Sequence, residues 1–186
     1  MALRENRNRL EVYRLSGNVT TKRETRGGLG DILKGEMTAK QPWSVSYFLN
    51  MRDLSLDDYI WDERTRTLLV RAPAVAADAP NIDESRQIVD YTGVIITRDM
   101  QTRLRREVAK GARKQAVDEA AKPENMAAAG QAGRAALSRN LEAPLRAARL
   151  GDVSVEVRTP FEGRSDRERW DVSRSIAEVL AERAGR

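Results

Sequence analysis

The chain first shows itself as alternation. In EMTAKQPWSVSYFLNM, residues 36–51, Val45, Tyr47, Leu49 and Met51 fall on one side of an extended backbone, and Ser44, Ser46, Phe48 and Asn50 on the other. That period of two predicts a half-buried strand, with Pro42, which has no N–H to donate, at its start or on a sheet edge. Upstream, LEVYRLSGNVTTKRE predicts a long strand bent at Gly17, and RGGLGDILKG, residues 26–35, a glycine-punctuated connection. DLSLDDY predicts a helical turn capped by Ser55. Ile60 and Trp61 then begin a strand, Asp62 to Thr65 turn, and residues 67–72 return, with Leu68 and Val70 on one face and Leu69 and Arg71 on the other. AVAADAPNID reads as a surface connection of small residues, and residues 84–96 as a further strand.

The period changes at Thr97 or Asp99. Leu104, Val108, Ala112, Ala116 and Ala120 recur every four residues, the apolar stripe of a helix that ends at Lys122-Pro123. A second helix is expected from about Glu124 toward Leu150, with Met126, Gly130, Gly133, Leu137, Leu141, Leu145 and Ala148 on or near one side. Its two glycines predict close backbone contact with a neighbour, Pro144 a kink or break near Asn140, and Gly151 a C-terminal cap. Val153, Val155 and Val157 alternate as a late strand returning to the sheet. Residues 161–186 read as a charged linker, with Ser165 and Glu168 able to form a capping box, followed by an amphipathic helix over Val172, Ile176, Val179 and Leu180. The expected fold is thus α+β: an antiparallel, hairpin-rich sheet covered by two helices of the C-terminal half, as a single domain over residues 10–160.

Composition narrows the chemistry. The 186 residues include no Cys and no His, which removes thiol chemistry, Cys- or His-built zinc sites and every nucleophile–His pairing. Aromatics make up 5%, so the core must rest on aliphatic side chains with a few aromatic anchors. Trp61 is read as one of these anchors, at the hairpin; a ligand-stacking tryptophan is the alternative. Asp57, Asp58, Asp62 and Glu63 crowd one region, but they match no calcium-loop spacing and read as caps and a solvated turn. Gly27, Gly28 and Gly30 are not followed by the Gly-Lys-Ser/Thr of a phosphate loop. No catalytic residue, metal ligand or cofactor is expected, and the chain is read as non-enzymatic.

Charge is where a surface function is legible. Residues 100–149 carry 11 basic and 5 acidic side chains, a net of +6 against +5 for the whole chain. Arg103, Arg106, Lys110, Arg113 and Lys114 share one helical stripe. It reads first as a solvated face, then as a contact for anionic lipid headgroups, and third as a nucleic-acid contact. That third reading is weakened because residues 100–150 offer no aromatic platform.

Several of these segments, taken in order, resemble a known family. They are PWSVSYFLNMRDL (42–54), YIWDERTRTLLVRAPAV (59–75), APNID, DYTGVIITRD and LEAPLRAARLGDVSVEVR (141–158). Together they resemble the bacterial membrane-anchored family catalogued as domain of unknown function 4230, over roughly residues 10–160. The resemblance implies an apolar span just ahead of residue 1, a domain outside the cytoplasm, and Trp61-Asp62 as a structural signature of the hairpin; it implies no activity. Two departures stand out: the start, MALRENRNRL, is polar at once, and Trp43 stands where many relatives have a small residue. The stretch itself, with no long apolar run, is expected to be soluble. The function expected is a membrane-associated scaffold or interaction domain, its partners a protein or a second copy of the chain and an anionic membrane surface, with no small-molecule ligand evident. A nucleic-acid-binding protein using the basic stripe is the alternative.

Overall fold

A computed structural model describes residues 8–27, 33–93, 97–148, 153–159 and 174–175. The fold is α+β, with nine strands and two helices among these residues. One sheet contains β1 (Arg9–Gly27), β2 (Leu33–Asn50), β5 (Ala76–Ala77), β6 (Asn81–Ile82) and β7 (Ile88–Thr92). A second contains β3 (Tyr59–Asp62), β4 (Thr67–Arg71), β8 (Ser154–Arg158) and β9 (Arg174–Ser175) in the order β8-β4-β3-β9. The helices are α1 (Arg98–Ala120) and α2 (Pro123–Ala147). None of the described helices is long and apolar enough to cross a membrane. The chain divides into two compact units. The first comprises Met1–Tyr13, Tyr47–Ala76 and Met126–Arg186, and the second Arg14–Ser46 and Ala77–Asn125.

In the second unit the alternation of β2 does what its period demands. Met37, Ala39, Gln41, Trp43 and Val45 all turn inward and are buried. Met37 and Ala39 pack with Leu104 and Val108 of α1, and Val89 and Tyr91 of β7 close the cluster. Each of the Met37, Leu104 and Val108 side chains removed from water contributes about 1.5–3 kcal/mol. The expected stripe of α1 is buried along its whole length, with Met100 added to it. Thr97 caps the helix by accepting a hydrogen bond from the Met100 N–H at 3.3 Å.

Expectations in this unit are corrected at Pro42 and at the connections. Pro42 lies mid-strand, neither at a start nor at an edge. Its carbonyl accepts from the Asp83 N–H at 2.9 Å, on the side where the partner changes: β7 pairs with β2 as far as Lys40, and β6 begins at Trp43. A strand tolerates a proline where no ladder acceptor needs its N–H. Gly17 sits inside a continuous β1, and its role is proximity: a Cβ there would come within 3.2 Å of the Trp43 indole nitrogen. The expected connections are also shorter than read. Strand structure reaches Gly27 and resumes at Leu33, and AVAADAPNID supplies two short strands that lie along β2. The glycines at 28 and 30 lie outside the described residues.

In the first unit the hairpin is as predicted. β3 and β4 pair antiparallel, with Trp61 opposite Leu68 and Tyr59 opposite Val70. Leu68 and Val70 are buried, while Trp61 is half-buried on the same face. The capped turn is present at Leu56–Asp58, where the Asp58 carboxylate accepts from the Ser55 N–H at 2.8 Å. At the hairpin tip the Asp62 carboxylate accepts from the N–H groups of Arg64 and Thr65, and Arg66 adopts a positive φ of 53°. The late strand does return, as a parallel partner of β4 in register from Thr67–Ser154 to Arg71–Arg158.

Gly133 of α2 meets the predicted close approach: a Cβ there would lie 3.2 Å from Val75 and 3.5 Å from Leu49. Gly130 does not, since nothing stands within 4 Å of its added Cβ. Of the kink or break expected near Asn140, the break is absent, because α2 runs on through Pro144 to Ala147. The capping roles of Gly151 and of Ser165 with Glu168 lie outside the described residues, as does most of the terminal amphipathic helix. Within that predicted helix, Arg174–Ser175 is extended and pairs with β3.

Candidate functional site

The five basic residues singled out from the sequence all lie on α1 and are all exposed. At about 100° per residue, Arg103, Arg106, Lys110, Arg113 and Lys114 occupy about 100° of arc, on the side away from the buried stripe. Lys114 is paired with Asp118 at 2.6 Å. Arg103, Arg106, Lys110 and Arg113 form no ion pair with another described residue. Arg105 is not part of this face; it donates to the Tyr91 hydroxyl at 3.2 Å, which favours its charged form. Four of the five stripe residues are thus unpaired among the described residues, while Lys114 of the stripe and Arg105 outside it are engaged.

The structure adds a feature that spacing alone could not show. Ala109, Lys110 and Arg113 form one wall of a cleft of about 530 Å³. The facing wall is the segment Pro80, Asn81, Ile82 and Glu84. This second wall is fixed from behind. Asn81 and Ile82 pair with Ser44 and Trp43, and the Asp83 N–H reaches the Pro42 carbonyl.

Asp83 is the pivot of the turn that follows. Its carboxylate accepts from the backbone N–H groups of Ser85 and Arg86, from the Ser85 hydroxyl and from the Arg86 guanidinium. These bonds, the Ser85 hydroxyl first, hold its pKa down to about 2. The sign follows directly. The folded value lies below the ordinary Asp value of about 3.9, so the ionised form's contribution to the turn is complete above about pH 4 and is lost as pH falls toward 2. In an NMR titration the Asp83 carboxyl is expected to protonate near pH 2, and the Ser85 and Arg86 amides to lose protection over the same range. A midpoint near 4 would contradict this geometry. The turn at Glu84–Arg86 falls in the segment 84–96 read from the sequence as strand; Asp83 followed by Ser85 is the Asx-turn signal that could have found it.

The acidic crowd in the other unit is structural. Asp58 serves the Ser55 cap, and Asp62 holds the hairpin tip, where its bonds to Thr65, the side-chain one foremost, keep its pKa lowered. Trp61 packs on the hairpin beside Leu68. No group of three or more Asp or Glu side chains among the described residues converges to hold a metal ion. Family models were searched without a match, and no curated protein or solved structure matches the chain.

Proposed function

We propose that this chain is a non-catalytic interaction domain that works at a membrane surface, holding a protein partner or a second copy of itself while the outward face of α1 meets anionic headgroups. The observation that carries this reading is the exposed stripe of Arg103, Arg106, Lys110, Arg113 and Lys114, four of them without an acidic partner among the described residues. The ordered resemblance of residues 10–160 to the membrane-anchored family supports it as well.

Magnitudes fix the role of the stripe. A basic side chain near an anionic surface gains about 1 kcal/mol, so the four unpaired cations give about 4 kcal/mol, a roughly millimolar association. That strength suits orienting a domain already held near the bilayer better than capturing it from solution. Co-sedimentation with vesicles of phosphatidylcholine alone, and of phosphatidylcholine with phosphatidylglycerol, tests the reading. Binding is expected only to the anionic vesicles, and it should weaken as salt rises. Reversing Arg106, Lys110 and Arg113 to Glu removes three attractions, so affinity should fall about a hundredfold or more. Equal binding to both vesicles, or a triple variant that binds like the parent, would sink the proposal. A tighter, salt-sensitive complex with duplex DNA or single-stranded RNA would put the nucleic-acid reading first.

A further inference from the structure

We infer that the cleft between α1 and the 80–84 segment binds a small zwitterionic amino-phosphate: a phosphate ester with a primary ammonium two carbons away, as in the headgroup of an aminophospholipid. Two cations, Lys110 and Arg113, line one wall, and the Glu84 carboxylate lines the other. None of the three is ion-paired with a described residue, so the opposite charges face one cavity without neutralising each other. The walls cannot simply close. One is pinned to β2 by the Asn81–Ser44 and Ile82–Trp43 pairs and by the Asp83-to-Pro42 bond, and the other by the buried stripe of α1.

Charge pattern then selects the ligand class. A bare anion is attracted by Lys110 and Arg113 but repelled by Glu84, and a bare cation meets the reverse. A dipolar ligand satisfies both walls, with its phosphate on the paired cations one helical turn apart and its ammonium at the carboxylate. The Asn81 amide can bond the ester oxygens, and Pro80, Ile82 and Ala109 offer apolar surface for the two-carbon bridge. The volume of about 530 Å³ lies within the range of about 300–1,000 Å³ typical of ligand sites. The choice of a phosphate over the carboxylate of an amino acid rests on the membrane-surface reading above.

Titration of the folded chain with O-phosphoethanolamine, inorganic phosphate and β-alanine, followed by backbone amide NMR shifts, tests the inference apart from any vesicle. O-phosphoethanolamine is expected to shift the Asn81, Glu84, Lys110 and Arg113 amides saturably. Inorganic phosphate and β-alanine should each bind about tenfold more weakly, the worth of one charge-assisted bond. Glu84→Gln should abolish the preference over inorganic phosphate, and Arg113→Gln should weaken O-phosphoethanolamine by a similar factor. Vesicles with and without phosphatidylethanolamine at matched anionic content then identify the source. A preference for the amino lipid makes it a bilayer headgroup, whereas saturable O-phosphoethanolamine binding without vesicle binding makes it a free amino-phosphate and overturns only the surface reading. Anionic vesicle binding with no O-phosphoethanolamine shifts leaves the surface reading standing and overturns this one. So does inorganic phosphate that binds as tightly as O-phosphoethanolamine, or β-alanine that binds more tightly.

Discussion

Tyr47→Ala is expected to lower stability by about 3–5 kcal/mol, the cost of deleting a fully buried aromatic side chain. For a chain of this size that is roughly 6–20 °C in melting temperature. Tyr47 is 0% exposed, and its ring lies 5.6 Å from that of Tyr13, tilted by 53°. Tilted aromatic pairs at this separation add about 0.5–1.5 kcal/mol to the burial itself. Trp61 is the instructive contrast. Sequence reasoning makes it a hairpin anchor whose loss would cost about 3 kcal/mol or more, but it is only half-buried. Trp61→Ala should therefore cost about 2 kcal/mol, in proportion to the smaller area removed from water. Thermal unfolding of both variants beside the parent gives the order. A Trp61 variant less stable than the Tyr47 variant would mean that the core of the first unit is misplaced.

Gly111→Leu should be strongly disruptive on α1. A Cβ at this position would stand 2.9 Å from the Thr21 methyl and 2.7 Å from an Arg23 nitrogen. The arginine can swing away; Thr21, buried in β1, cannot. Leucine must lift the helix from the strand and loosen Leu104, Val108 and Ala112 with it, at a cost of about 3 kcal/mol. Gly130→Ala on α2 is the opposite case. With nothing within 4 Å, alanine meets no obstacle and supplies helix propensity, so stability should rise by about 1 kcal/mol. Chemical denaturation of the two variants measures both signs. A tolerated leucine at 111 would show that α1 does not lie tightly on β1.

The contrast between these glycines marks how far the sequence could be read. Periodicity is a local signal, so the stripe from Leu104 to Ala120, the alternation of β2 and the β3–β4 hairpin were legible from it. Contacts are not local. Nothing in the sequence distinguishes Gly130, which faces open space, from Gly133, which faces Val75 and Leu49. Pro42 was read as an edge signal because its missing N–H is visible in the sequence, while the change of partner that tolerates it is made by residues about forty positions later. The parallel return of β8 was unreadable for the same reason: alternating valines announce a strand but not its neighbour. At the candidate site, the basic stripe followed from spacing alone, whereas the cleft needed the 80–84 segment, whose small and polar residues carry no period at all.

The pairing of β8 with β4 also sets an order of assembly. Thr67 and Ser154 meet through their hydroxyls at 2.9 Å, across 87 positions of chain. On the ribosome the β3–β4 hairpin emerges early, yet this side of β4 stays open until both helices and the segment beyond them have been synthesised. For that interval a strand carrying Leu68, Leu69 and Val70 presents an unprotected edge. Arg66 and Arg71, which flank the three apolar residues, place a positive charge at each end of that edge while it waits.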